Sequence, residues 1–165
     1  MQLAKRRINW KKFKQMLNKK NIILVLFGIV AVFLAFLYIS ANSYSIHGNK
    51  IKKISLDGNI FRAEMVSSPE KMQKGMGERK KICQKCAMLF QFSDSKKHPF
   101  WMKGMLFPLD IVWISNGKIV HIEKNVSEKF SGVLSPQTEA DQVLEINAGL
   151  ADEMGVKIGD SMVFL

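Results

Sequence analysis

Two short motifs carry most of the potential chemistry in this sequence. The first is Cys83-x-x-Cys86. A cysteine pair at this spacing becomes a redox centre when a helix N-terminus or nearby cations lower one thiol pKa. Arg79, Lys80, Lys81 and Lys85 supply the cations. Thioredoxin-like chemistry would place the pair at a helix start within a β-α-β unit, and the sequence around it does not predict one. Zinc would need about four ligands. Besides the two cysteines the chain offers only His47, His98 and His121, with no second spaced pair. A disulfide without further chemistry is the leading expectation, ahead of redox activity and of metal binding. Neither a metal nor a cofactor is expected.

The second motif is Phe100-Trp101-Met102-Lys103 followed by Pro108-Leu109-Asp110. An aromatic platform beside two opposite charges would make a recognition surface. The ordinary alternative puts the aromatics in the core and pairs Lys103 with Asp110 as a structural ion pair. Asp110 falls on the strand face opposite Leu109 and Ile111 if the strand is regular. Trp113 lies further along the same strand. Trp101, Lys103, Asp110 and Trp113 are therefore the candidate binding residues. His121 stands alone on a strand. Glu64, Glu123, Glu139, Asp141 and Glu145 offer carboxylates for a hydrolytic pair, but spacing between strands does not give their separation. No nucleophile elbow, phosphate-binding loop or dinucleotide fingerprint is present.

The elements that must position these residues read mainly as short strands. Residues 50–66 predict a hairpin around Asp57-Gly58. Ser68-Pro69-Glu70 opens a short helix that stops by Gly77. Residues 78–86 read as a loop, 87–92 as an apolar strand, 93–99 as a turn, and Phe100-Trp101-Met102 as the start of a further strand. Residues 109–115 and 118–126 flank Asn116-Gly117, the strongest hairpin signal in the chain. A loop at 127–137, a strand at 139–146, a short helix ending at Gly155 and a final strand complete the reading. The elements do not alternate as β-α-β, which predicts a compact, mainly β sandwich or barrel with one or two short helices.

Charge and hydropathy divide the chain. Residues 1–21 hold eight Lys/Arg and no acid, residues 22–41 hold no charge, and all fourteen Asp/Glu lie beyond. A uniformly basic chain would suggest nucleic acid. A basic block against an apolar run predicts membrane topology instead, and no nucleic-acid partner is expected. The run Ile22–Ala41 spans about 30 Å as a helix, the thickness of a hydrocarbon core. It is longer than the apolar part of a signal peptide, and Ile39-Ser40-Ala41 is a poor cleavage site. The expected organisation is a basic cytoplasmic tail (1–21), one transmembrane helix (22–41), a linker and first strand (42–57) and a β domain (58–165). The positive-inside rule places that domain outside the cytoplasm. Secretion after signal cleavage is the alternative. Trp10, Phe13, Met16 and Leu17 fall near helical spacing, so the tail could also lie on the inner leaflet.

Several segments in order resemble one family, the domain of unknown function DUF192. They are Lys74-Gly75-Met76, Met88-Leu89-Phe90, Phe100-Trp101-Met102-Lys103, Pro108-Leu109-Asp110-Ile111, Leu144-Glu145-Ile146-Asn147-Ala148-Gly149 and Gly155-Val156-Lys157-Ile158-Gly159-Asp160. The resemblance covers roughly residues 58–165. Ala87 stands where the family usually has Gly, and Met105 near a position that is often Thr. The resemblance implies a compact jelly-roll or barrel-type β domain and no established activity. It also points to the Trp101–Asp110 region as a functional surface.

The leading functional expectation is a membrane-tethered extracytoplasmic binding or accessory module of the cell envelope. Its partner would be an envelope protein or a small-molecule ligand. The less favoured reading is an envelope enzyme, thiol-redox through Cys83 and Cys86 or hydrolytic through acids near Asp110. A purely structural role is the third.

Overall fold

A computed structural model describes Lys11, residues 19–43 and residues 45–165. The amphipathic reading of the tail at Trp10, Phe13, Met16 and Leu17 lies outside the described residues. The chain divides into two units between Asn42 and Ser43. The first contains helix α1 (Lys19–Ser43), in which Asn21–Tyr38 has a mean hydropathy of 2.7 and none of that window is buried. By length and composition this helix can cross a membrane. A signal sequence would satisfy the same criteria.

The second unit is built on one curled sheet of seven strands. In chain order they are β1 (Lys50–Leu56), β2 (Asn59–Val66), β3 (Cys86–Lys96), β4 (Leu109–Ser115), β5 (Lys118–Val126), β6 (Ala140–Asn147) and β7 (Met162–Phe164). Helix α2 (Pro69–Lys74) follows β2, and α3 (Leu150–Glu153) follows β6. The spatial order is β5-β4-β6-β3-β2-β1-β7. The two edge strands approach one another at one end. Met162 N–H donates to the Gly117 carbonyl and Ile119 N–H to that of Asp160, each at 2.9 Å. The sheet is thus a half-barrel, and the expected mainly β architecture holds.

Local turn chemistry explains the hairpins. Asp57 and Gly58 have φ of 46° and 82°, and Asn116 and Gly117 have 50° and 72°. Two successive left-handed residues match the twist of the strands they join.

Two expectations fail. First, β2 and β3 are parallel neighbours, so β2-α2-β3 is a local β-α-β crossover. Parallel neighbours need a connection of about a dozen residues or more, and residues 67–85 provide it. The sequence hides this because α2 is only six residues long. Second, Phe100-Trp101-Met102 does not start a strand. Phe100 makes an isolated bridge to Leu134, with both hydrogen bonds at 2.8 Å, and the ladder stops there. Pro99 and Pro108 bracket the segment, and Gly104 takes a φ of 77°. A ladder cannot run through such a backbone. The polar residues expected to form the preceding turn instead extend β3 to Lys96, past a register shift between Gln91 and Lys96.

Both faces of the central strands are buried, and strand alternation sorts the core into two layers. Leu89, Val112, Ile114, Leu144 and Ile146 pack on one face with Met162 of β7 and Leu150 of α3. Met88, Phe90, Ile111, Trp113 and Val143 pack on the other with Phe100, Met102 and Met105. The irregular segment 99–108 and the end of α2 cover this second layer, and the site lies beneath them.

Candidate functional site

Glu145 decides where the site is. On β6 it follows the parity of Val143, so its side chain belongs to the second layer, between Met88 on β3 and Ile111 on β4. A regular strand would carry an apolar residue there. Glu145 is only 4% exposed, and its Oε2 has no hydrogen-bond partner among the described residues. Buried polar atoms are nearly always satisfied, so this orphan marks something other than packing.

The carboxyl opens into a cavity of about 330 Å³. Phe90, Phe100, Met76, Trp101, Lys103 and Glu145 are among its lining residues. Gly75 ends α2 beside the cavity in a left-handed backbone conformation that favours glycine. Its φ is 52°, and a Cβ there would sit 3.5 Å from Phe90 Cζ and 3.9 Å from Glu145 Oε2. The aromatic rings are fixed edge to face, with Phe90 and Phe100 centroids 4.9 Å apart and Phe100 and Trp113 centroids 5.7 Å apart. Trp101 is 45% exposed.

A second acid lies in the same row and behaves differently. Glu64 on β2 pairs with Met88, which in turn pairs with Glu145. Arg79 grips Glu64 through two bonds of 2.7 and 3.0 Å, and Asn49 Nδ2 donates to Glu64 Oε2 at 2.8 Å. Burial raises the Glu64 pKa, but the hydrogen bonds from Arg79 and Asn49 outweigh it and hold the carboxyl below its ordinary value. Glu145 has no such bonds among the described residues. Burial pushes it up to about 8, and the Arg79 charge opposes this only in part. Arg79 directs one N–H from each terminal nitrogen at Glu64, and no hydrogen bond joins it to Glu145 among the described residues.

The structure brings two of the candidate binding residues together with Glu145 and leaves two elsewhere. Trp101 and Lys103 line the cavity. Trp113 is fully buried behind it, and its indole N–H donates to the His98 carbonyl at 2.9 Å. Asp110 faces the opposite layer, as its parity predicts. It is fully buried and makes no ion pair with Lys103 among the described residues. Its Oδ1 accepts from Asn125 N–H at 2.7 Å and Gly149 N–H at 3.1 Å, and its Oδ2 from Ala151 N–H at 2.8 Å. The carboxylate is occupied by backbone, and the sheet separates it from the cavity.

Cys83 and Cys86 are joined as a disulfide with Cα atoms 5.0 Å apart. The pair leads into β3 and not into a helix, and Asn147 Nδ2 donates to the Cys83 carbonyl at 3.1 Å. His121 Nε2 lies 3.0 Å from Glu123 Oε1, with its ring against Trp113.

Sequence reasoning named Glu145 only as one acid among five. The signal that singles it out is an acid within Val143-Leu144-Glu145-Ile146, a run apolar at both parities. A strand buried on both faces has no solvent side to receive a charge.

Comparison with known proteins agrees with this architecture. No curated protein matches the chain. A crystal structure of a protein of unknown function from Novosphingobium aromaticivorans superposes with a TM-score of 0.70 at 26% identity, covering 73% of this chain and 89% of that one. A second, from Sinorhizobium meliloti and named as a "putative transcription regulator", gives a TM-score of 0.67 at 25% identity, covering 70% of this chain and 95% of that one. The family model of DUF192, described as an uncharacterized ACR, matches residues 52–164. The chain is a member of the DUF192 family.

Proposed function

We propose that this chain is a membrane-tethered, extracytoplasmic ligand-binding module of the cell envelope, with the Glu145 cavity as its binding site. The observation that carries the reading is the buried carboxyl of Glu145, without a hydrogen-bond partner among the described residues, opening into a cavity whose aromatic and Met walls are joined by Gln73, Lys74 and Lys103. Ligand sites have this composition: mostly apolar walls and a few convergent polar groups. A volume of about 330 Å³ suits a small molecule. A purely structural role gives no reason to keep an unsatisfied acid there, because an apolar side chain of similar size would be cheaper to bury. A hydrolytic role for acids near Asp110 is disfavoured by the three backbone donors that occupy its carboxylate.

The tether rests on α1 and on the charge split. Eight basic residues precede Ile22 with no acid among them, which favours a cytoplasmic N-terminus. A C-terminal alkaline phosphatase fusion is expected to be active and to remain with the membrane fraction. An active cytoplasmic reporter at the same position would reverse the orientation, and soluble phosphatase activity would mean that α1 is cleaved.

The binding site is tested on the full chain in a maltoside detergent by thermal-shift screening against small amphipathic molecules. Ligands of the cavity are expected to raise the unfolding temperature of the wild type, and to lose that effect in Glu145→Gln and Trp101→Ala. Equal shifts in all three proteins would refute the site.

A further inference from the structure

The cavity's own chemistry narrows what it would hold. Four aromatic residues, Phe90, Phe92, Phe100 and Trp101, surround it together with one carboxyl, Glu145. Three of the rings, Phe90, Phe92 and Phe100, are held by one another. Phe90 and Phe92 both meet Phe100 edge to face, and Phe92 stacks on His98 with centroids 3.5 Å apart. Ring faces carry negative electrostatic potential and attract cations, most strongly where water is excluded. The buried Glu145 carboxyl, once ionised, needs the same thing, a positive charge. Both features therefore call for one kind of group.

We propose that the Glu145 cavity is a site for a small organic cation, with an ammonium or alkylammonium head seated against the Glu145 carboxylate and the aromatic rings around it. This rests on reading the cavity as a ligand site. An alkylated ammonium suits it best, since such a head is weakly hydrated and its alkyl groups match the walls of Met72, Met76 and Met105.

The charged groups around Glu145 fix the expected pH dependence. Arg79, from the loop after α2, acts on it at a distance but is held by Glu64 of β2. Lys74 of α2 also lines the cavity, and its ammonium is paired with Glu78 at 2.8 Å. Lys103, from the segment 99–108, lines the cavity without an ion-pair partner among those described. The flanking strand neighbours Met88 and Ile111 do not titrate. The empty site keeps a proton on Glu145 up to about pH 8. A cation must displace it, so affinity rises as the site deprotonates. Lys103 repels the same cation, so removing its charge strengthens binding.

The experiment is isothermal titration calorimetry on the full chain in a maltoside detergent. The probes are benzyltrimethylammonium, 2-phenylethanol and 3-phenylpropionate, a cation, a neutral molecule and an anion of similar size. The cation is expected to bind, with affinity rising about tenfold between about pH 7 and about pH 9. Glu145→Gln should abolish its binding, and Lys103→Met should tighten it about twofold or more. If the alcohol or the carboxylate binds the wild type and the cation does not, the cation assignment is wrong and the ligand site stands. If none of the three binds, both the assignment and the ligand reading fall. Cation binding that survives in Glu145→Gln would place the site elsewhere and overturn the proposal.

Discussion

Replacing Asp110 with alanine is expected to cost about 4 kcal/mol of stability, enough to lower the unfolding temperature of the β domain by about 10 °C or more. The carboxylate accepts from the backbone N–H groups of Asn125, Gly149 and Ala151. None of these donors sits in a regular ladder. Asn125 has a φ of 55° and lies where the β4–β5 register slips by one residue, between Leu109↔Val126 and Ile111↔Glu123. Gly149 has a φ of 85° and caps α3, and Ala151 is in its first turn. One side chain thus supplies acceptors to a bulge and to a helix start that lack them. Hydrogen bonds to a charged acceptor contribute about 1.5–3 kcal/mol each, and orphaned buried donors add a penalty of their own. Asp110→Asn should lose less, because one carbonyl oxygen remains, but its amide would face N–H groups and repel them. Lys103→Met is the control, expected within about 0.5 kcal/mol of wild type, since Lys103 is exposed. Unfolding followed by tryptophan fluorescence distinguishes these cases. An Asp110→Ala protein that melts within about 2 °C of wild type would remove the structural role assigned to this carboxylate.

Asp110 also shows how far the sequence can be read. Its strand and its face follow from Pro108, Leu109 and Ile111 alone, because alternation is local. Its partners do not, because Asn125, Gly149 and Ala151 come from separate parts of the chain. Lys103 looks like the natural partner only because it is close in sequence, and the sheet lies between them. The hairpins at Asp57-Gly58 and Asn116-Gly117 were legible for the same reason that Asp110's face was: the turn fixes the pairing within a few residues. The parallel pairing of β2 and β3 was not, since it depends on a crossover whose helix is too short to show a period. Glu145 falls between these cases. The strand is evident, and the acid within its apolar run is visible. Its significance appears only when β3 and β4 close on either side and Gly75 brings the end of α2 to the opening.

Glu145 should also make the chain less stable as pH rises from about 4.5 to about 8, and Glu145→Gln should abolish that slope. Unfolded, the side chain releases its proton near its ordinary value of 4.5, whereas burial holds the proton in the folded state until about pH 8. Between those limits the folded protein binds more protons than the unfolded one, so stability falls with pH and levels off above the folded value. The full difference corresponds to about 5 kcal/mol at most, a large part of the stability of a domain this size. Acids held below their ordinary pKa act in a separate window. Glu64, gripped by Arg79 and Asn49, contributes stability that is present above its unfolded value and lost on acidification. Thermal unfolding of the full chain at several pH values, wild type against Glu145→Gln, measures the slope. The variant should lie within about 1 kcal/mol of wild type near pH 5 and exceed it by several kcal/mol near pH 8. Parallel curves across that range would mean that Glu145 titrates normally and is solvated or paired in solution. A slope of the expected sign would show that the fold tolerates a costly ionisation at one position on β6. That is the behaviour of a residue kept for what it binds, and a bound cation should restore at alkaline pH the stability that the empty site loses.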